Sequence, residues 1–123
     1  MQASHSVLVI DDEKDIREML RFALLADGYS VSTAADGVEG LEHIRREMPH
    51  AVLLDLMMPR MNGYEVLDNL RNDGVLNSLP VVILTARNLE ETDQDRLMGV
   101  RAIYQKGQFD VITLVKNFST VLR

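Results

Sequence analysis

Short apolar runs alternate with segments of helical period along the whole chain, and this alternation constrains the fold more than any other feature. Most of the runs are nearly continuous in apolar residues, which is typical of strands covered on both faces of a parallel sheet. The five runs of strand length occupy residues 7–10, 29–33, 51–54, 81–84 and 102–104. Five strands separated by helices predict an α/β fold.

The segments that follow the runs carry apolar residues at helical spacing, together with signals for helix ends. Asp36 with Glu39, and Asn62 with Glu65, have the three-residue spacing of a capping box that opens a helix. Gly28 is a stop signal for the first helix. A short fourth helix is predicted over residues 89–98, where acidic side chains crowd a helix start that we expect to be exposed. The apolar stripes of the first and last helices are Ile16, Met19, Leu20, Ala23 and Leu24, and Val111, Leu114, Val115, Phe118 and Leu122.

The order of elements is therefore a strand followed by a helix, five times, with no linker, repeat or low-complexity tract. Right-handed crossover connections then favour an open, doubly wound sheet with helices on both faces. The length of 123 residues predicts one domain, over residues 1–123. In such sheets ligands bind beyond the carboxyl ends of the strands. The search for a site is therefore confined to the residues that follow each strand.

The composition excludes several classes of function. Without cysteine, the chain has no disulfide framework, thiolate metal site or cysteine nucleophile. The formal net charge of -6 argues against direct nucleic-acid binding, because such domains are normally basic. No run approaches the roughly 20 apolar residues needed to span a bilayer, and the amino-terminal residues lack the pattern of a secretory signal. We therefore expect a cytoplasmic protein that binds neither nucleic acid nor a membrane.

Polar residues of three chemical types stand at the ends of the predicted strands. Asp11 and Asp12 follow the first strand, Asp55 the third and Thr85 the fourth, and the fifth strand runs into Lys106. If these strands are neighbours, three carboxylates, a hydroxyl and an ammonium converge on one crevice. Two carboxylates about 4 Å apart repel by about 4 kcal/mol at an effective dielectric constant of 20, so the group needs a cation or must take up protons. Mg²⁺ matches best, because it is a hard ion that binds one or two carboxylates and keeps several waters.

Other interpretations of these residues fail on the sequence. Asp11, Glu13 and Asp15 have the odd spacing of an EF-hand, but Ile16 stands where that loop needs glycine and Phe22 where it needs glutamate. The glycine-rich phosphate loops of nucleotide-binding proteins do not occur in the sequence. The three histidines lie away from the carboxyl ends of the strands, and we expect them to be solvated.

Four segments form a longer pattern. Residues 11–13 read Asp-Asp-Glu, residues 55–63 read Asp-Leu-Met-Met-Pro-Arg-Met-Asn-Gly, residues 85–87 read Thr-Ala-Arg, and residue 106 is lysine. Together they resemble the receiver domains of two-component response regulators, and the resemblance covers essentially the whole chain. It implies a single receiver domain of the chemotaxis-regulator type. It also implies a flavodoxin-like, doubly wound sheet of five parallel strands in the order 2-1-3-4-5.

The resemblance assigns roles to the acidic residues and the lysine. Asp55 would be the phosphoacceptor, whose carboxylate attacks the phosphorus of a phosphohistidine on a partner protein. Mg²⁺ would be bound by Asp11, Asp12 and Asp55 and by the backbone carbonyl of Met57. The metal and Lys106 would neutralise the phosphoryl oxygens during transfer.

Residues of the third, fourth and fifth strand ends would surround the transferred group and respond to it. Thr85 would hydrogen-bond a phosphoryl oxygen and draw its loop inward, Ala86 would leave an entry path and offer its backbone N–H, and Met57 would flank the group. The family's aromatic switch residue corresponds to Ile103 here, and the nearest ring is that of Tyr104. Because side chains alternate across a strand, we predict that Tyr104 is packed on the opposite face. A bulge in the strand is the alternative.

The residue after the lysine also departs from the family, which usually has proline where this chain has Gly107. A cis peptide bond without proline would cost about 3 kcal/mol, whereas glycine tolerates unusual backbone angles. The sequence leaves both routes open for bringing Lys106 to the site.

The resemblance implies a phosphorylation-dependent signalling switch in a two-component phosphorelay. A histidine kinase or phosphotransfer protein would be the donor, and a downstream protein would dock on the face of the fourth helix, fifth strand and fifth helix. The chain would turn over no free substrate. Two alternatives stay open: an interaction module of the same fold that no longer cycles phosphate, and a magnesium-dependent phosphatase with an aspartate nucleophile. That phosphatase class has an Asp-x-Asp motif after its first strand, which residues 11–13 do not match.

Overall fold

Five parallel strands lie between two layers of helices in the computed structural model of the chain. The structure describes residues 5–86 and 89–122, and only the backbone of residues 91 and 92. The strands are β1 (Ser6–Ile10), β2 (Ser30–Ala34), β3 (Ala51–Asp55), β4 (Val81–Thr85) and β5 (Ala102–Gln105). The helices are α1 (Lys14–Ala26), α2 (Gly37–Glu47), α3 (Gly63–Arg71), α4 (Glu91–Arg96) and α5 (Val111–Val121).

The strand order is β2-β1-β3-β4-β5, which confirms the predicted doubly wound sheet. β1 therefore lies beside β3, with Ile10 paired to Leu54 across the two strands. Asp55, the last residue of β3, is paired to Leu84 of β4. These registers bring the carboxyl ends of β1, β3 and β4 to one edge of the sheet.

The sheet separates two apolar cores, and side-chain alternation explains both. Leu8 and Ile10 of β1 point into the core covered by α2 and α3, whereas Val7 and Val9 point into the core covered by α1 and α5. Every residue of β3 and β4 is buried, since both strands have a neighbour on each side and helices on each face. This is the physical reason for their nearly continuous apolar sequence.

The helix ends follow most of the predicted signals. Asn62 and Glu65 form a reciprocal capping box at the start of α3, and the Asp36 carboxylate accepts the Glu39 backbone N–H at 2.9 Å at the start of α2. Gly28 has a φ of +95°, as expected of a residue that follows a helix. Among the residues that the structure describes, no helix is long and apolar enough to cross a membrane.

Three helix predictions need correction. The fourth helix is shorter than predicted, because only residues 91–96 keep helical hydrogen bonding. In α5, Val121 joins the buried stripe, and the predicted stripe residue Leu122 caps the helix and packs, partly buried, against the same core. In α1, Met19 is 38% exposed because it lies at the margin of the apolar stripe, whose buried centre is formed by Leu20 and Leu24.

Candidate functional site

The carboxyl ends of β1 and β3 bring the three predicted aspartates together. One carboxylate oxygen from each of Asp11, Asp12 and Asp55 lies within 4.8 Å of the other two. Asp11 and Asp55 are each only 1% exposed, whereas Asp12 is exposed. The cluster is therefore buried at two of its positions and open to solvent at the third.

Local turns fix one oxygen of each buried carboxylate. Asp11 Oδ1 accepts the backbone N–H of Glu13 at 2.8 Å, and Asp55 Oδ1 accepts the backbone N–H of Met57 at 3.1 Å. Both are contacts to the residue two positions on, the usual way in which an aspartate shapes the turn after a strand. Gly63 completes the second turn, because a Cβ at this position would collide with the Asp55 carbonyl.

Lys106 enters the same crevice from the end of β5. Its Nζ lies 2.7 Å from Glu13 Oε1, 3.0 Å from Asp11 Oδ2 and 3.2 Å from Asp55 Oδ2. The lysine backbone N–H donates to the carbonyl of Thr85 at 2.7 Å, which anchors the turn to β4. Its side chain is 9% exposed. The ammonium is therefore surrounded by carboxylates and largely removed from bulk water.

Gly107 explains how the lysine reaches the site without proline. No peptide bond in the described part of the chain is cis, and Gly107 has a φ of +83°. Glycine adopts this left-handed conformation at no steric cost. Of the two routes that the sequence left open, the structure has the trans bond followed by an unusual glycine conformation.

Burial and mutual repulsion control the ionisation of the carboxylates. Burial, reinforced by the negative charge of Asp11, raises the pKa of Asp55 to about 7, although the Met57 N–H and Lys106 oppose the shift. Burial also raises the pKa of Asp11. Burial alone would lower the pKa of Lys106, but hydrogen bonds to Glu13 and Asp11 hold it above its ordinary value. One lysine does not neutralise the cluster, so a further cation would relieve the repulsion.

The donor set fits a hard divalent cation. Asp11 Oδ2 is a buried oxygen that accepts no hydrogen bond in the described part of the molecule, although the Lys106 ammonium forms an ion pair with it. A carboxylate oxygen that accepts no backbone N–H and lies beside two further carboxylates is the ligand type that Mg²⁺ prefers. Asp12 adds an exposed oxygen to the set, on the side open to water.

The remaining predicted site residues, Thr85, Ala86 and Met57, lie at or just after the ends of β4 and β3. Thr85 is 1% exposed at the end of β4, where it is paired in register with Gln105. Ala86 follows it and is exposed. The side chain of Met57 is exposed as well, and its backbone N–H is what contacts Asp55.

The two candidate switch residues of β5 lie on opposite faces of the sheet. The Tyr104 ring packs with the α1 and α5 core and meets Phe109 edge to face, while its hydroxyl accepts from Asn117 Nδ2 at 3.0 Å. β5 pairs with β4 in continuous register, which excludes the bulge. The predicted orientation of Tyr104 is therefore confirmed. Ile103 is 42% exposed on the other face.

Glu13 contacts the lysine, which the sequence reasoning missed. The sequence places Glu13 in the Asp-Asp-Glu segment and at an EF-hand-like spacing, and neither pattern predicts a contact with Lys106. The available signal was its position: it is the residue before α1 and shares a strand end with two aspartates. The structure gives it the shortest of the contacts made by the Lys106 ammonium.

Comparison with known proteins agrees with this geometry. The family model of the response regulator receiver domain matches residues 7–118. The chain therefore belongs to the response regulator receiver domain family, a membership consistent with two-component signalling. The predicted resemblance is confirmed.

Individual relatives show the same relationship. Response regulator MprA of Mycobacterium leprae (strain TN) is 45% identical over 96 residues, which cover 78% of this chain and 40% of that protein. The chain thus spans less than half the length of this curated relative. The structure of chemotaxis protein CheY4 of Vibrio cholerae superimposes with a TM-score of 0.87 at 32% identity, covering 98% of this chain and 100% of that one. The structure of the Francisella response regulator 1452 receiver domain superimposes with a TM-score of 0.86 at 28% identity, covering 97% of each chain.

Proposed function

We propose that this chain is a phosphorylation-dependent switch that accepts a phosphoryl group on Asp55 in a Mg²⁺-dependent reaction. The observation that carries the proposal is the meeting of three aspartates and one lysine at adjoining strand ends. Membership of the receiver family supports the same assignment. A phosphohistidine on a histidine kinase or phosphotransfer protein is the proposed donor.

Asp55 acts as the nucleophile in this proposal. A carboxylate oxygen attacks the phosphorus atom, a P–O bond forms, the P–N bond to the donor imidazole breaks, and the leaving nitrogen takes up a proton from its surroundings. Asp55 must be ionised to attack, and without a metal its pKa of about 7 leaves part of the population protonated at neutral pH. Asp11, Asp12, Asp55 and the Met57 carbonyl would hold Mg²⁺, which would supply positive charge that favours ionisation of Asp55 and neutralises phosphoryl oxygens.

The other residues of the crevice stabilise and report the transferred group. The Lys106 ammonium, already 3.2 Å from Asp55 Oδ2, donates to a phosphoryl oxygen in place of a carboxylate. Thr85 hydrogen-bonds a second oxygen, and the exposed Ala86 and Met57 leave the approach to the group open. The protein catalyses its own phosphorylation and dephosphorylation, and it turns over no free substrate.

Signalling then follows from a shift between two conformations. Phosphorylation favours the state in which Thr85 and its loop contact the phosphoryl group, and the size of the shift depends on the differential affinity of the two states for that group. The downstream protein binds the face formed by α4, β5 and α5. Tyr104 takes no part as an aromatic switch, since its ring packs toward α5.

Intact-mass measurement after incubation with Mg²⁺ and acetyl phosphate tests the proposal. The wild type and Asp15→Asn, which alters an exposed carboxylate on α1, should gain one phosphoryl group per chain, and Asp55→Asn should gain none. Absence of an adduct in the wild type would instead support the interaction module. Sustained release of phosphate without an adduct would support the phosphatase.

A further inference from the structure

Glu13 makes the shortest contact of the Lys106 ammonium in the crevice. Its Oε1 lies 2.7 Å from Lys106 Nζ, compared with 3.0 Å for Asp11 Oδ2 and 3.2 Å for Asp55 Oδ2. The Glu13 side chain is 55% exposed, whereas the lysine side chain is 9% exposed. Glu13 is therefore the solvent-side partner of a mostly buried ammonium.

The local role usual for this position does not explain the contact. Glu13 is the residue that precedes α1, yet its side chain makes no capping hydrogen bond. The corresponding residues Asp36, Asn62 and Asp110 each accept a backbone N–H of the helix that they precede. At Glu13 the carboxylate is turned instead toward Lys106, while its backbone N–H donates to Asp11 Oδ1. One residue thus contacts both the lysine and a buried aspartate.

The carboxylate oxygens around Lys106 compete for its ammonium, because they outnumber its N–H donors. A lysine ammonium has three N–H donors, and this one lies within 3.2 Å of four oxygens from three carboxylates. Two of these carboxylates, Asp11 and Asp55, belong to the aspartate cluster that would hold a divalent cation. Glu13 does not belong to it. A cation on the aspartates would leave the Glu13 contact in place, whereas a phosphoryl group on Asp55 would compete for the same ammonium.

We infer that Glu13 is a positioning residue that holds Lys106 away from full engagement with the aspartates, favouring cation binding and opposing binding of the phosphoryl group. The inference rests on the proposed function and deepens it. Drawing the ammonium toward Glu13 reduces its competition with Mg²⁺ for Asp11 and Asp55. The same contact must be weakened before the ammonium can serve a phosphoryl oxygen, and the negative charge of Glu13 also disfavours an anion nearby.

Two binding measurements with opposite expected signs test this inference. By isothermal titration calorimetry, Glu13→Gln should bind Mg²⁺ alone about fivefold more weakly than the wild type. At saturating Mg²⁺ it should bind beryllofluoride, a stable mimic of the phosphoryl group, about fivefold more tightly. Fivefold is the upper range for a partly exposed ion pair. Asp15→Asn removes the same charge from the same end of α1 and should change either affinity by less than about twofold. A structural defect would weaken both bindings together.

The double variant decides whether the effect passes through the lysine. In a Lys106→Met background, Glu13→Gln should leave the Mg²⁺ affinity unchanged relative to that background. An undiminished effect there, or changes of the same sign in both bindings, would overturn the assignment of Glu13 while leaving the proposed function intact. Failure of the wild type to bind either Mg²⁺ or beryllofluoride would overturn both.

Discussion

Two acidic regions of the molecule differ in how their buried carboxylates are stabilised. In the crevice, Asp11 and Asp55 are buried beside each other and share one ammonium, and burial raises the pKa of both. At the start of α4, Asp93 is also buried, at 5% exposure, but it accepts the Tyr64 hydroxyl at 2.9 Å and the Glu90 backbone N–H at 3.0 Å. The first region is left with repelling charges, and the second is a hydrogen-bonded helix start.

The secondary structure that carries the acidic residues, strand ends in one region and a helix start in the other, explains the difference. Parallel strands end at one edge, so the register forces the carboxylates of the crevice together whether or not enough donors are present. A helix start has backbone N–H groups without partners in the helix, and a carboxylate can accept hydrogen bonds from them. Acidic residues at a helix start can therefore be satisfied within the protein. Acidic residues at adjoining strand ends indicate a cation.

α3 connects the two regions through consecutive residues. Gly63 lies against the Asp55 carbonyl and donates its backbone N–H to the Leu56 carbonyl at 3.0 Å. The next residue, Tyr64, contacts Asp93, and the Arg96 guanidinium lies 3.9 Å from the centre of its ring. Substitutions at these two positions therefore probe one region each from the same turn.

The largest effect is expected at Gly63. In Gly63→Ala, the new Cβ would collide with the backbone of both Asp55 and Leu56, and backbone yields less easily than a side chain. We expect a loss of about 3 kcal/mol in the free energy of unfolding, at the upper end of the range for overpacking. Urea unfolding, monitored by circular dichroism, measures this loss in stability.

Gly74→Ala is the matched control for this experiment. A Cβ at Gly74 would have no neighbour within 4 Å, so the change should be neutral or slightly stabilising, because alanine restricts the unfolded chain. Equal unfolding midpoints for the two alanine variants would show that α3 does not press on the phosphoacceptor turn.

The second effect is a gain in stability from Asp55→Asn in metal-free buffer. Between the unfolded pKa of 3.8 and the folded pKa of about 7 the folded state binds more protons at Asp55, so wild-type stability falls as the pH rises through this window. A shift of about three units corresponds to about 4 kcal/mol. Because Lys106 loses a charged partner in the variant, we expect a net gain in the free energy of unfolding of about half this value.

The measurement compares the two proteins across pH with a chelator present. Asp55→Asn should be more stable than the wild type by about 2 kcal/mol at pH 8 and nearly equal to it at pH 4. Because the other titrating groups are common to both proteins, they largely cancel in the difference. A difference that stays constant from pH 4 to pH 8 would contradict the raised pKa of Asp55.

The same contrast explains what the sequence could predict. The alternation of strands and helices predicted the doubly wound sheet, and the family resemblance implied the strand order. With that order, the position of each residue at a strand end predicted that Asp11, Asp12, Asp55 and Lys106 meet. This inference needs no side-chain detail, since the sheet fixes the geometry. The orientation of Tyr104 was predictable for the same reason, because alternation along a strand is a backbone property.

Side-chain partners between separate elements were not predictable in this way. The acidic start of the fourth helix was predicted to be exposed, and this was wrong for Asp93, because Tyr64, 29 residues away, supplies a buried hydroxyl. The sequence likewise predicts no contact for Glu13, since its partner is 93 residues further along the chain. The position of Glu13 at a strand end marks it as a candidate, but local sequence does not identify the partner in either contact, because each contact depends on the packing of two elements.

The smallest effects separate two tyrosine hydroxyls. Tyr64→Phe keeps the ring beneath Arg96 and removes the hydrogen bond to the buried Asp93. We expect a loss of about 1.5 kcal/mol, because Asp93 keeps the Glu90 N–H but loses one of its partners. Tyr104→Phe removes a bond to the exposed Asn117 amide and should cost about 0.5 kcal/mol or less. Urea unfolding gives both values, and hydrogen exchange should show faster opening of α4 only in Tyr64→Phe. Equal losses of stability in the two variants would mean that the hydrogen bond to the buried Asp93 is worth no more than one to an exposed side chain. The two acidic regions would then differ less than their hydrogen bonds indicate.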